Sequence, residues 1–184
     1  DAVKFQTFKA EEFIKKNTPK VKYQKKNSKN KESHFDMIKK LELSDRSHLE
    51  LIKYCKKIKI NFLSTPYNKK SAQYLNKIGC NVIKTASADI VDLELHEYLA
   101  KKNNIVLIST GMSDLKEIEQ CVNIYKKYKN KKFILLHCVS SYPTSHKSIN
   151  LLSLKTISSK FNCLVGFSDH SQGSFASLAS VALG

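Results

Sequence analysis

The chain has 184 residues, with 32 Lys+Arg against 16 Asp+Glu and a formal charge of +16. At this length a single domain can bury about 70% of its unfolded surface, and 41% hydrophobic residues are too many for a disordered polycation. No run approaches the ~20 apolar residues of a membrane span, and no signal peptide is visible, so neither a membrane nor a secretory role is expected.

In chain order, short β-rich runs alternate with longer amphipathic ones. Strands are predicted at 2–8, 61–65, 82–87, 105–110, 133–139 and 164–168. Helices are predicted at 45–58, 69–78, 92–102, 114–129, 150–160 and 173–183. Leu49, Ile52, Lys53 and Lys56 carry the helical spacing in the first helix; Ile118, Cys121, Val122 and Tyr125 carry it in the fourth. Ser113 or Asp114 would cap that fourth helix. Residues 17–35 are too polar and irregular for core and read as a long excursion, a binding loop or simply disorder. The chain opens on Asp1 in an apolar run and closes inside a helix-like segment, which reads as an internal piece of a longer protein.

Several strands are almost continuously apolar, as parallel strands covered on both faces are. Successive β-α units therefore predict an α/β protein with a parallel sheet. Every predicted strand ends in small polar or ionisable residues. A doubly wound sheet needs such ends at one switch point only, whereas a barrel gathers all of them at one mouth. The expectation is an incomplete (β/α)8 TIM barrel.

The charge itself is a weak functional signal. Arg46 is the only Arg, and nucleic-acid readers favour the bidentate guanidinium, so the lysines read mainly as solvated faces. A basic nucleic-acid or polyanion binder is the alternative. The five cysteines, Cys55, Cys80, Cys121, Cys138 and Cys163, form no CxxC pair and read as reduced thiols. GxGxxG, GxxxxGK[ST] and GxSxG are absent, against Rossmann, P-loop and esterase chemistry.

Lys4 and Lys84 stand inside apolar strands, where an ammonium is costly unless it snorkels to an edge or meets an anion. Lys4 and Gln6 share one strand face, as do Ser168 and His170. His170 is either a hydrogen-bonded structural residue or a ligand for a divalent metal. His137 could equally be a buried core histidine. His34, His48, His96 and His146 read as surface.

Six strings then occur in order: Asp1-Ala2-Val3-Lys4-Phe5-Gln6-Thr7-Phe8; Leu63-Ser64-Thr65-Pro66; Ser109-Thr110-Gly111-Met112; Leu135-Leu136-His137-Cys138 with Ser141-Tyr142-Pro143-Thr144; Gly166-Phe167-Ser168-Asp169-His170; and Val181-Ala182-Leu183-Gly184. The series resembles the sialic acid synthase family, which makes N-acetylneuraminate, legionaminate and pseudaminate. The resemblance implies that residues 1–184 are strands two to seven of the synthase barrel, with the first strand, the eighth strand and a C-terminal antifreeze-like domain elsewhere. It implies condensation of phosphoenolpyruvate with the open-chain aldehyde of an N-acetylated mannosamine-type sugar, with Mn2+ or Mg2+, in a cytoplasmic homodimer that binds neither nucleic acid nor membrane. Another phosphoenolpyruvate-using or aldolase-type barrel is the nearest alternative.

Residue by residue, the resemblance makes Lys4, Lys84 and Asp89 catalytic. It makes Lys4, Thr65, Lys84, Ser87, Ser109, Ser140 and Ser168 phosphoenolpyruvate-binding, Gln6 and Tyr142 sugar-binding, and His170 a metal ligand. The chain departs from the family pattern at Ala88, where Gly is usual, and at Val139, where Thr is common. The Val3-Lys4-Phe5-Gln6-Thr7 string looks more like the neuraminate and legionaminate branch.

Overall fold

The computed structural model describes residues 1–21, 24 and 32–184. Residues 22, 23 and 25–31 of the 17–35 excursion therefore lie outside the described residues. Its far end is helical, with the Ser33 side chain accepting from the Asp36 N–H to cap a helix over His34–Lys39 that the sequence pattern did not show. The chain divides into two compact units, Asp1–Cys80 and Asn81–Gly184.

The first unit holds strands β1 (Ala2–Thr7) and β2 (Asn61–Pro66) and helices α1 (Ala10–Phe13), α2 (His34–Lys39), α3 (Asp45–Lys57) and α4 (Lys69–Lys77). β1 and β2 pair in parallel, with Lys4 opposite Leu63 and Gln6 opposite Thr65. Alternation puts Val3, Phe5 and Thr7 on the other face, where Phe5 stacks on Phe62 at 5.1 Å. α3 covers that second face, but not with the predicted stripe. Leu49 is exposed, and His48 and Cys55 are the buried positions.

His48 thus corrects the surface assignment. Its Nδ1 meets the Ser44 carbonyl at 2.9 Å, which can only accept, so Nδ1 carries the proton. Thr7 Oγ1 then donates to Nε2 at 2.9 Å and accepts from Ser64 Oγ at 2.7 Å. The three polar side chains are buried and mutually satisfied, which is the condition for placing them between strand and helix.

The second unit holds β3 (Val82–Thr85), β4 (Ile105–Ser109), β5 (Phe133–Cys138) and β6 (Val165–Ser168). Its helices are α5 (Leu93–Lys101), α6 (Leu115–Lys127), α7 (Ser153–Phe161) and α8 (Phe175–Ala182). Neighbouring strands pair in parallel in sequence order. This is the β-α alternation expected of a barrel wall.

The register separates two faces. Ile83, Val106, Ile108 and Leu135 share one face and are fully buried. On the other face lie Lys84, Leu107, Ser109, Leu136, Cys138, Gly166 and Ser168. α6 begins as predicted: Asp114 Oδ1 accepts from the Lys116 and Glu117 N–H groups, and Glu117 reaches back to the Asp114 N–H at 2.9 Å. Its stripe of Ile118, Cys121, Val122 and Tyr125 is buried. All five cysteines are free thiols.

Candidate functional site

The C-terminal strand ends of the second unit bring several expected residues together. Lys84 points off β3 along the polar face, and its Nζ donates to Ser109 Oγ at 2.5 Å. Just beyond β3, Ser87 opens a 3-10 turn over Ser87–Val91. Its Oγ accepts from the Gly111 N–H at 3.1 Å and lies 3.1 Å from Cys138 Sγ. A Cβ on Gly111 would stand 2.6 Å from Ser140 Oγ, 2.8 Å from Ser87 Oγ and 2.9 Å from Cys138 Sγ. Only glycine, at the end of β4, leaves room for side chains from the ends of β3 and β5 to converge there. Ser168 is set beside Cys138 by the β5–β6 register.

The chemistry of this cluster is that of a donor surface. A serine hydroxyl has one proton and two acceptor sites. Lys84 occupies an acceptor site on Ser109, and the Gly111 N–H occupies one on Ser87. Both hydroxyls are left with a proton to give. A lysine and two such hydroxyls on rigid strand ends suit an anionic group.

Asp89 sits within the same turn. Burial pushes its carboxyl pKa up to about 6, against the hydrogen bond from the Ala86 N–H at 2.9 Å; Asp92 adds to the rise and Lys84 opposes it. Below it, His96 on α5 is fully buried, which corrects its assignment as a surface residue. Its Nδ1 pairs with the Tyr125 hydroxyl at 3.0 Å. Burial drives its pKa down to about 4, although the Asp89 backbone carbonyl and Asp92 favour the charged ring.

In the first unit, Lys4 and Gln6 occupy the more open face of β1. Solvent reaches Lys4, yet surrounding protein removes enough water to lower its pKa. Gln6 Nε2 donates to the Tyr67 hydroxyl at 2.9 Å, while Thr65 on β2 is buried.

His170 is held from three directions. Its Nδ1 donates to the Val139 carbonyl at 2.8 Å, its own carbonyl accepts from the Thr144 N–H at 2.9 Å, and its ring lies 4.4 Å from that of Tyr142. With the proton on Nδ1, the Nε2 lone pair is free for a metal, the usual arrangement for a ligating histidine. The residue therefore fits a divalent ion as one ligand. Among the described residues no group of three or more His, Cys, Asp or Glu could hold a metal. His137 is structural, its Nε2 donating to the Ile149 carbonyl at 2.6 Å.

A separate cleft of 820 Å3 lies at the N-terminal ends of β5 and β6, lined by Tyr125, Lys126, Phe133, Phe161 and Leu164. Barrel chemistry sits at the opposite, C-terminal ends, so this cleft is not the candidate site.

Sequence reasoning missed two members of the cluster. Gly111 stood in a quoted string without a role, and Cys138 read as a small hydrophobe. Their positions next to Ser109 and Ser140 were visible, but their convergence on Ser87 depends on three different strands.

All of residues 1–184 match the NeuB family. The chain belongs to that family. It is 41% identical over its whole length to N,N'-diacetyllegionaminic acid synthase of Campylobacter jejuni subsp. jejuni serotype O:2, covering 56% of that protein. It is 35% identical over its whole length to the enzyme of the same name from Legionella pneumophila subsp. pneumophila, covering 53% of it. The whole chain also superposes on the crystal structure of N-acetylneuraminic acid (sialic acid) synthetase from Leptospira borgpetersenii serovar Hardjo-bovis in complex with citrate. There the TM-score is 0.87, the identity 36%, and 59% of that chain is covered. The chain thus spans little more than half the length of these NeuB-family relatives. The fold class expected from the sequence, part of an α/β barrel, agrees with this superposition. No helix among the described residues is long and apolar enough to cross a membrane.

Proposed function

We propose that the whole protein condenses phosphoenolpyruvate with an N-acetylated mannosamine-type aldose, giving a nonulosonic acid and phosphate. The observation that carries this reading is the donor cluster of Lys84, Ser87 and Ser109 at the C-terminal strand ends, in a chain whose relatives bear the names of such synthases. On this reading residues 1–184 are strands two to seven of the barrel domain, and the other strands and an antifreeze-like domain lie in the rest of a cytoplasmic homodimer.

Lys84 pairs with one anionic group of phosphoenolpyruvate, and Ser87, Ser109, Ser140 and Ser168 donate to its oxygens. Lys4 supplies a second cation, and Thr65, opposite Gln6 on the strand register, adds a hydroxyl. Fixing an anion on rigid strands lowers the entropic part of the barrier. The enol-ether carbon then attacks the aldehyde, water adds at the carbon bearing the phosphate, and phosphate leaves with C–O cleavage. Asp89, with its pKa raised to about 6, holds or releases a proton beside Lys84 as that charge develops. Gln6 and Tyr142 contact the acylamino sugar. A divalent Mn2+ or Mg2+ bound through His170 Nε2 would supply Lewis acidity at the aldehyde oxygen.

The test is phosphate release by the full-length protein given phosphoenolpyruvate with N-acetylmannosamine or with 2,4-diacetamido-2,4,6-trideoxymannose. The names of the Campylobacter jejuni and Legionella pneumophila relatives favour the diacetamido sugar, and that of the Leptospira borgpetersenii structure favours N-acetylmannosamine. Stoichiometric phosphate with an amino sugar supports the reading; none with either sugar overturns it.

A further inference from the structure

The arrangement around Ser87 says more than that an anion binds there. Ser87 Oγ already accepts one hydrogen bond, from the Gly111 N–H at 3.1 Å. The Cys138 thiol lies 3.1 Å away, buried on β5 among the strand ends, and either atom of that pair can donate. A thiol is a weak donor and a weak acceptor. With no anion present, the Ser87 proton can rest on sulfur. When an anionic oxygen arrives it is a far better acceptor, so the hydroxyl turns to it. Its second acceptor site, now turned toward sulfur, then accepts a hydrogen bond from the thiol S–H. Gly111 makes the geometry possible, because any Cβ there would drive apart Ser140 Oγ, Ser87 Oγ and Cys138 Sγ, all within 2.9 Å of it.

We propose that Cys138 and Gly111 are positioning residues that fill the acceptor side of Ser87 and so commit its proton to the anionic substrate. This rests on the reading that the cluster binds phosphoenolpyruvate. It gives Cys138 a task beyond filling space, and it makes a hydrogen-bond donor, rather than an apolar group, the requirement at that position.

The experiment uses full-length protein with Cys138→Ala, Cys138→Ser and Gly111→Ala, each first checked for folding by thermal unfolding. Binding of phosphoenolpyruvate and of inorganic phosphate is titrated without sugar, and phosphate release is measured with it. Losing one neutral donor should weaken anion binding and raise KM for phosphoenolpyruvate by about three- to tenfold in Cys138→Ala, with KM for the sugar unchanged. Cys138→Ser, which keeps a donor, should return both to within about twofold of wild type by the same reasoning. Gly111→Ala should weaken the anion more than Cys138→Ala does. Wild-type affinity in Cys138→Ala, or equal loss in Ala and Ser variants, overturns the proposal, the second outcome assigning the effect to packing. If the wild type binds the anion but does not turn it over with an amino sugar, the reaction reading falls while the positioning role stands. If it binds neither phosphoenolpyruvate nor phosphate, both fall.

Discussion

The two faces of β3–β6 follow one backbone alternation and carry opposite chemistry. On the helix-covered face, Ile83, Val106, Ile108 and Leu135 are fully buried and apolar. On the other, Lys84, Ser109, Cys138 and Ser168 follow at the same two-residue spacing. The first face is where stability comes from; the second spends it, holding an ammonium and hydroxyls among strands. A substitution should therefore move folding or chemistry according to the parity of its position.

Leu135→Ala on the apolar face should cost about 2–5 kcal/mol of unfolding free energy, measured by denaturant titration, with KM for phosphoenolpyruvate unchanged in the folded fraction. Lys84→Met on the polar face should do the reverse. Its kcat/KM for phosphoenolpyruvate should fall by about 10²–10³-fold, as expected for removing a preorganised charge, while the thermal midpoint hardly moves. Equal effects of both variants on stability would break the division.

Asp89 and His96 sharpen the same contrast through pH. His96 has its pKa lowered from 6.5 to about 4 by burial, so the stability it permits is complete above 6.5 and is lost as pH falls. Asp89 has its pKa raised from 3.8 to about 6, so its contribution is complete below 3.8 and is lost as pH rises. The two slopes oppose each other between those limits. Comparing wild type with His96→Gln, the stability difference should rise with pH by about 1.4 kcal/mol per unit across the window. With Asp89→Asn in place of His96→Gln, it should fall by a similar amount. Slopes of the same sign would show that one of the two groups is not buried as described. In the smallest effect, Asp89→Asn should remove an ionisation near 6 from the pH profile of kcat/KM.

The strands were legible because each is a short apolar run with polar tips, and the long helices because their stripes and caps are local. α1, α2 and the 3-10 turn at Ser87–Val91 were not, since so few residues leave no period to read. His48 and His96 were misread for a different reason. Each sits in a polar helical context, and its burial depends on a partner far along the chain, Thr7 for one and Tyr125 for the other. The site followed the same rule. Lys84 announced itself as a charge inside an apolar strand, whereas the Gly111–Ser87–Cys138 convergence needed the register of several strands.

The most direct measurement is a crystal structure of the full-length protein with phosphoenolpyruvate bound. The account predicts anionic oxygens of the ligand within hydrogen-bond distance of Lys84 Nζ, Ser87 Oγ and Ser109 Oγ. Ligand density in the Tyr125–Leu164 cleft at the opposite strand ends, with the Lys84 cluster unchanged, would contradict it.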